Sequence, residues 1–117
     1  MGKLTTHILD TANGMPGAEI KVILYRLEGD DVKQIASTVT NDDGRTNSPL
    51  LADNQMVKGK YQLVFHTAAY FKQQGTSLDE IPFLDDVVIR FGIADTDAHY
   101  HVPLLVSPYS FSTYRGS

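Results

Sequence analysis

The stretch that decides the fold is HYHVPLLV, residues 99–106. In a β-strand, successive side chains point to opposite faces, so this stretch divides into two rows. The apolar row, which should face the core, consists of Tyr100, Val102, Leu104 and Val106. The opposite row contains His99, His101, Pro103, Leu105 and Ser107. We therefore expect a strand with one face in the core and a face outside it that carries two histidines.

Further strands are predicted on both sides of this one. They cover residues 4–10, 19–27, 32–40, 60–67, 87–94 and 109–115. Turn signals separate them, among them Asn-Asp-Asp-Gly at residues 41–44, and one short helix is predicted over residues 68–74, before Gly75. Seven or eight short strands at roughly 8–12-residue spacing predict an all-β fold, a two-sheet antiparallel sandwich with one short helix.

Length and composition restrict the function. The 117 residues are enough for a single domain, residues 1–117, with its own core. The chain has no cysteine, which excludes disulfides, thiolate metal sites and a cysteine nucleophile. A net charge of −4 and the lack of a Lys/Arg cluster argue against nucleic-acid binding. No apolar run approaches the ~20 residues that span a membrane, and no signal peptide is evident, so we expect a cytoplasmic protein.

The outer rows of three strands share a polar character. In the first strand the Ile8 row is the better core candidate, which puts His7 on the outer face. In the last strand Ser110, Ser112 and Tyr114 share a row. If the three strands are neighbours, their outer rows form one surface in which polar and apolar side chains alternate. Such a surface indicates a ligand groove or a subunit interface, and the alternative is an ordinary solvated face.

The histidines of this surface admit three interpretations. His7, His99 and His101 could form a zinc site with an open water position. One of them could instead act as a metal-free acid or base, because histidine titrates near pH ~6.5. The third possibility is that they are partly exposed structural residues, as we expect for His66. Arg45, directly after a tight turn, is either solvated or a permanent cation for a carbonyl, enolate or carboxylate.

Three segments together resemble the transthyretin-like 5-hydroxyisourate hydrolases over nearly the whole chain. The first runs from Leu4 to Ala18 and contains Thr-His-Ile-Leu-Asp and Gly-Met-Pro-Gly-Ala. The second is Asp42-Asp43-Gly44-Arg45. The third, residues 99–117, ends in Tyr-Arg-Gly-Ser, the tetrapeptide that separates these enzymes from transthyretin itself. The third match is the most specific of the three.

The resemblance implies a two-sheet sandwich that assembles as a homotetramer, with a central channel lined by the outer faces of one sheet. It also implies hydrolysis of 5-hydroxyisourate to 2-oxo-4-hydroxy-4-carboxy-5-ureidoimidazoline in urate degradation, an activity of the cyclic amide hydrolase class. The substrate is a small molecule, and no metal or other cofactor, nucleic acid or membrane is implied.

The resemblance also implies the site residues. The catalytic residues would be His7, Arg45, His101 and Ser117, and the substrate-binding residues would be His7, Arg45, Tyr114, Arg115 and Gly116. One of the two histidines would take a proton from water, and the other would orient the water or protonate the leaving nitrogen. Arg45 would stabilise developing oxyanion charge. Two alternatives are a transthyretin-like carrier of a small aromatic ligand and a domain that only mediates association.

Overall fold

A computed structural model of the chain describes residues 1–116, and Ser117 lies outside the described residues. The strands are β1 (Lys3–Asp10), β2 (Met15–Pro16), β3 (Lys21–Glu28), β4 (Asp31–Val39), β5 (Leu51–Ala52), β6 (Gly59–Phe65), β7 (Val87–Ile93), β8 (His99–Val106) and β9 (Phe111–Thr113). Helix α1 (Thr67–Gln73) follows β6, and a 3₁₀ turn covers Asp53–Gln55. No helix within residues 1–116 is long and apolar enough to cross a membrane.

The strands form two sheets, which confirms the predicted sandwich with one short helix. The first sheet has the order β2-β1-β8-β9, with β5 also pairing with β1, and the second has the order β4-β3-β6-β7. One pair departs from the antiparallel expectation, because β1 and β8 run parallel. These two strands are separated by all the strands of the second sheet, so no hairpin turn fixes their relative direction.

The core lies between the inner faces of the two sheets, as the alternation predicts. From the first sheet, Leu4, Ile8 and Leu104 have no exposed surface. Leu24, Leu63 and Phe65 of the second sheet are equally buried. Such apolar burial between sheets is the main stabilising contribution to a sandwich. It also leaves the other face of β1 and β8 free of any packing role within the sandwich.

The last strand is shorter than the sequence predicts. Residues 109–115 were expected to form it, but β9 covers only Phe111–Thr113. The turn before it is closed by Ser107, whose backbone nitrogen donates to the Ser110 carbonyl over 2.8 Å. Strand pairing returns at a single bridge between His101 and Gly116. The tail therefore continues beside β8 after the regular hydrogen-bonding ladder has ended.

Candidate functional site

The outer face of the first sheet brings the three predicted polar rows together, since β1, β8 and β9 are neighbours. In the β1–β8 register, Thr5 lies opposite His101, and His7 lies opposite Pro103. On the other side of β8, Ser112 of β9 lies opposite Leu105. Because paired residues share a face, His7, His101 and Ser112 lie on one surface.

Arg45 reaches this surface through the tight turn at residues 41–44. Gly44 has φ 75° and its carbonyl accepts a 2.8 Å hydrogen bond from the Ile8 nitrogen. A side chain at Gly44 would collide with the Ile8 carbonyl oxygen, so the close approach to β1 requires glycine. The turn places Arg45 in an antiparallel bridge with His7. The motif that resembles the hydrolases thus has a local physical explanation.

A threonine hydroxyl connects the two histidines of β8. The Thr5 Oγ1 atom lies 2.7 Å from His99 Nε2 and 2.8 Å from His101 Nδ1. The two rings are 6.0 Å apart between centroids and inclined by 61°. Both imidazoles are therefore held by the same side chain from β1.

All three histidines of this face have a pKa below the usual histidine value. Burial lowers the pKa of His101 most, and the Arg45 guanidinium, His99 and His7 lower it further. Burial and Arg45 lower the pKa of His7, partly opposed by the Asp43 backbone and carboxylate. Burial and Lys3 lower the pKa of His99. The rings are consequently neutral at pH 7 and able to accept a proton.

A pocket of about 460 Å³ opens over His99 and His101, and His7 is not among its lining residues. Thr5, His99 and His101 line it from the sheet, and the loop from Arg45 to Pro49 forms another part of its wall. Of residues 1–116, the charged ones that line it are Lys3 and Arg45, and no carboxylate of these residues does. The volume suits a small heterocycle, and the two cations favour a ligand with acceptor oxygens or negative charge.

The tail is fixed against His101 by its backbone. The Gly116 nitrogen donates a 2.7 Å hydrogen bond to the His101 carbonyl. A Cβ at Gly116 would lie 2.9 Å from His101 Cδ2, so only glycine permits this approach without a shift. Ser117, predicted to be catalytic, lies outside the described residues.

Tyr114 and Arg115, predicted to bind substrate, take different directions. Tyr114 is 62% exposed, and its place in the register puts it on the surface that carries Ser112. The Arg115 guanidinium instead lies 4.1 Å from the centre of the Tyr100 ring. The Tyr100 hydroxyl accepts hydrogen bonds from the Ala94 and Asp95 nitrogens. Arg115 thus packs on a core-facing ring and is absent from the pocket lining.

The zinc interpretation finds no matching geometry in the part of the chain that the structure describes. Within residues 1–116, no three or more histidine or carboxylate side chains are grouped so that they could hold a metal ion. His66 lies away from the pocket, at the start of α1, with its Nδ1 atom 3.9 Å from Asp86 Oδ1. His66 therefore does not belong to this group of histidines, and its structural role stays a prediction.

Residues 4–116 match the sequence model of the HIUase/Transthyretin family. The chain belongs to this family. It is 57% identical to "5-hydroxyisourate hydrolase" of Pseudomonas aeruginosa, over 100% of this chain and 93% of that protein. It is 54% identical to "5-hydroxyisourate hydrolase 2" of Rhizobium meliloti, over 99% of this chain and 97% of that protein. These relatives confirm the family resemblance.

Three solved structures are similar over nearly the whole of this chain. Klebsiella pneumoniae 5-hydroxyisourate hydrolase has a TM-score of 0.83 at 36% identity, covering 100% of both chains. A sea bream transthyretin in complex with thyroxine has a TM-score of 0.85 at 30% identity, covering 97% of this chain and 94% of that chain. (S)-allantoin synthase has a TM-score of 0.94 at 47% identity, and the match covers 99% of this chain but only 44% of that chain.

Two parts of the site were not predicted from the sequence. The sequence analysis gave no role to Thr5, although Thr5 lies on the same face of β1 as His7. It also predicted no element or function for residues 46–49, which form part of the pocket wall. The register between β1 and β8 would have identified Thr5, because it puts this residue opposite His101. Strand pairing over so long a sequence separation cannot be read from local alternation.

Proposed function

We propose that the protein hydrolyses 5-hydroxyisourate to 2-oxo-4-hydroxy-4-carboxy-5-ureidoimidazoline in urate degradation. One observation carries the proposal: His101 and Arg45 line the same pocket, with His7 bridged to Arg45. The relatives named 5-hydroxyisourate hydrolase support the choice of substrate. The finer class that we propose is that of a cyclic amide hydrolase acting without a metal.

The reaction requires water to add to a ring carbonyl carbon and the carbon–nitrogen bond to break. A base must accept a proton from the water, and an acid must give one to the leaving nitrogen. Negative charge develops on the carbonyl oxygen as the water adds, so a fixed cation lowers the barrier. A carboxylate is left on the product, and its charge matches a pocket lined by Lys3 and Arg45.

His101 serves first as the base and then as the acid, and His7 assists it. His101 is the base in this proposal, since it lines the pocket and the Arg45 charge helps to keep it neutral. His7, beside Arg45, orients the water, and the proton that His101 takes from the water passes on to the leaving nitrogen. Arg45 binds the carbonyl oxygen and stabilises the oxyanion. His101 is then neutral again, so the histidines neither gain nor lose a proton over the cycle.

The tail completes the pocket. Tyr114 binds a substrate oxygen or ring edge from the exposed surface of the sheet. Gly116 holds the tail against His101, and Arg115 secures it by packing on the Tyr100 ring. Such a cation–π contact contributes about 0.5–1 kcal/mol at an exposed site. Ser117 closes the pocket in this proposal.

The site works between subunits of a cytoplasmic homotetramer. The outer face combines the histidines with Leu9 and Leu105, which are partly exposed in the single chain, and Tyr109 in the turn before β9 is exposed. Apolar surface of this kind favours association. Sedimentation of the purified protein tests the assembly, and a monomer at assay concentration would contradict it.

Turnover tests the activity. Urate is oxidised enzymatically to 5-hydroxyisourate in a cuvette, and its ultraviolet decay is followed with wild-type protein, with a strong chelator and with Arg45→Ala. Arg90→Ala is the control, because Arg90 is an exposed arginine of the second sheet, bonded to Gln62. We expect accelerated decay that survives the chelator and Arg90→Ala but not Arg45→Ala. Decay at the spontaneous rate with wild-type protein would contradict the proposal and favour a carrier of aromatic ligands.

A further inference from the structure

The contact between Thr5 and the two histidines of β8 has a strict proton count. The Thr5 Oγ1 atom is within 2.8 Å of both His99 Nε2 and His101 Nδ1. A threonine hydroxyl has one proton and two lone pairs, so it can donate to only one ring. Within residues 1–116 the hydrogen bonds of this hydroxyl go to these two rings alone, so it donates to one ring and accepts from the other. When both rings are neutral, the tautomer of one histidine therefore determines the tautomer of the other.

Only one of the two arrangements leaves His101 able to act as a base. If Thr5 donates to His101 Nδ1, the proton of the neutral ring is on Nε2, and no lone pair remains for water. If Thr5 donates to His99 Nε2, His101 donates its Nδ1–H to Thr5, and Nε2 is left bare. A neutral imidazole accepts a proton only at its bare nitrogen, so the direction of the Thr5 hydroxyl decides whether His101 is competent.

We propose that Thr5 is a positioning residue that holds His101 in the Nδ1-protonated tautomer, with His99 accepting the Thr5 hydroxyl proton. His99 then has a role without touching the reacting atoms. By accepting the hydrogen bond from Thr5, it directs the hydroxyl proton away from His101. The inference rests on the proposed role of His101 as the base.

The surroundings of the two rings favour this arrangement. Among residues 1–116, the charged and titratable groups that face them are Lys3 and His7 on β1 and Arg45 on the neighbouring loop, and none of these is a carboxylate. A carboxylate could have accepted a proton from His99 and fixed its tautomer. Burial and Lys3 lower the pKa of His99, so the neutral ring is favoured and its Nε2 atom can accept from Thr5.

Three threonine variants separate this role from simple packing. Thr5→Val keeps the branched shape but removes the hydroxyl, and Thr5→Ser keeps the hydroxyl. Thr11→Val is the control, since the Thr11 hydroxyl bonds β8 at the Val106 carbonyl and contacts no histidine. We expect kcat of Thr5→Val to fall about tenfold to a hundredfold, part of the ~10²–10⁴-fold that a general base supplies. KM should change little, Thr5→Ser should recover most of kcat, and Thr11→Val should match wild type.

The tautomer itself is measured without substrate. Nitrogen-15 NMR of histidine-labelled protein shows which ring nitrogen bears the proton, and His101 is assigned from the spectrum of His101→Gln. We expect His101 to be protonated at Nδ1 in wild type and in Thr5→Ser, and to shift towards the Nε2-protonated form in Thr5→Val. This readout remains valid if Thr5→Val loses stability as well as activity.

The outcomes separate the two proposals. Wild-type protein without turnover would refute the proposed function, whatever the NMR shows. Normal wild-type turnover with an Nε2-protonated His101, or with a His101 tautomer that Thr5→Val leaves unchanged, would overturn the role of Thr5. A loss of kcat in Thr5→Ser equal to that in Thr5→Val would also overturn it, because the hydroxyl would then be irrelevant.

Discussion

The two faces of β1 and β8 differ in how completely their polar groups are satisfied. On the inner face, the buried Asp10 carboxylate accepts hydrogen bonds from the Asn13 side chain and, over 2.7 Å, from the Tyr70 hydroxyl. On the outer face, a single Thr5 hydroxyl serves two histidines. Saturated groups have one arrangement and contribute to stability, whereas the shared hydroxyl has two arrangements that differ in chemistry.

The pKa values follow the same division. Burial and the hydrogen bond to the Asp10 carboxylate raise the pKa of Tyr70, so its hydroxyl keeps its proton and remains a donor. Burial and neighbouring cations lower the pKa of the outer histidines, which keeps them available as bases. One pair of strands thus builds the core with one row of side chains and the site with the next.

The largest expected effect compares neighbouring leucines on opposite faces of β8. Leu104 has no exposed surface and packs between the sheets, whereas Leu105 is partly exposed on the outer face. Leu104→Ala should lower the free energy of unfolding by about 2–5 kcal/mol through lost burial and the cavity left behind. Leu105→Ala should cost less than half as much in urea unfolding of dilute protein. Equal costs would contradict the division between the faces.

Local alternation predicted the core row of β8 because one face is buried and the other is not. It placed His7, His99 and His101 outside for the same reason, and the turn at residues 41–44 was visible in its Asp-Gly signal. The parallel pairing of β1 with β8 was not predictable, since strands so far apart in sequence have no turn to set their direction. The bridge between His7 and Arg45 and the role of Thr5 depend on that register and emerged only from the structure.

A smaller expected effect concerns the pH dependence of kcat/KM. The acid limb of this profile, where activity falls at low pH, reports the electrostatics of the outer face. His101 must be neutral to accept a proton, so activity is lost as pH falls through its pKa, which burial and Arg45 lower. Arg45→Gln removes a cation that disfavours the imidazolium form, so the pKa should rise. The limb should move to higher pH by less than about one unit, because burial, the larger cause, remains.

Two control variants accompany this test. One keeps a positive charge at position 45, and the other removes a positive charge far from the pocket. Arg45→Lys keeps a cation beside the histidines, so its acid limb should stay near that of wild type even if kcat falls. Arg90→Gln removes an exposed arginine of the second sheet and should leave the whole profile unchanged. A limb that moves to lower pH in Arg45→Gln would contradict the assigned sign.

The most direct test of the proposed site compares histidines at different positions in the fold. Glutamine replaces His7, His101 and His66 in turn, and kcat/KM for 5-hydroxyisourate is measured for each folded protein. His66 is the control, because it lies at the start of α1, away from the pocket. We expect kcat/KM to fall by about 100-fold or more in His7→Gln and His101→Gln and to stay nearly unchanged in His66→Gln. Undiminished activity in both His7→Gln and His101→Gln, or an equal loss in His66→Gln, would contradict it.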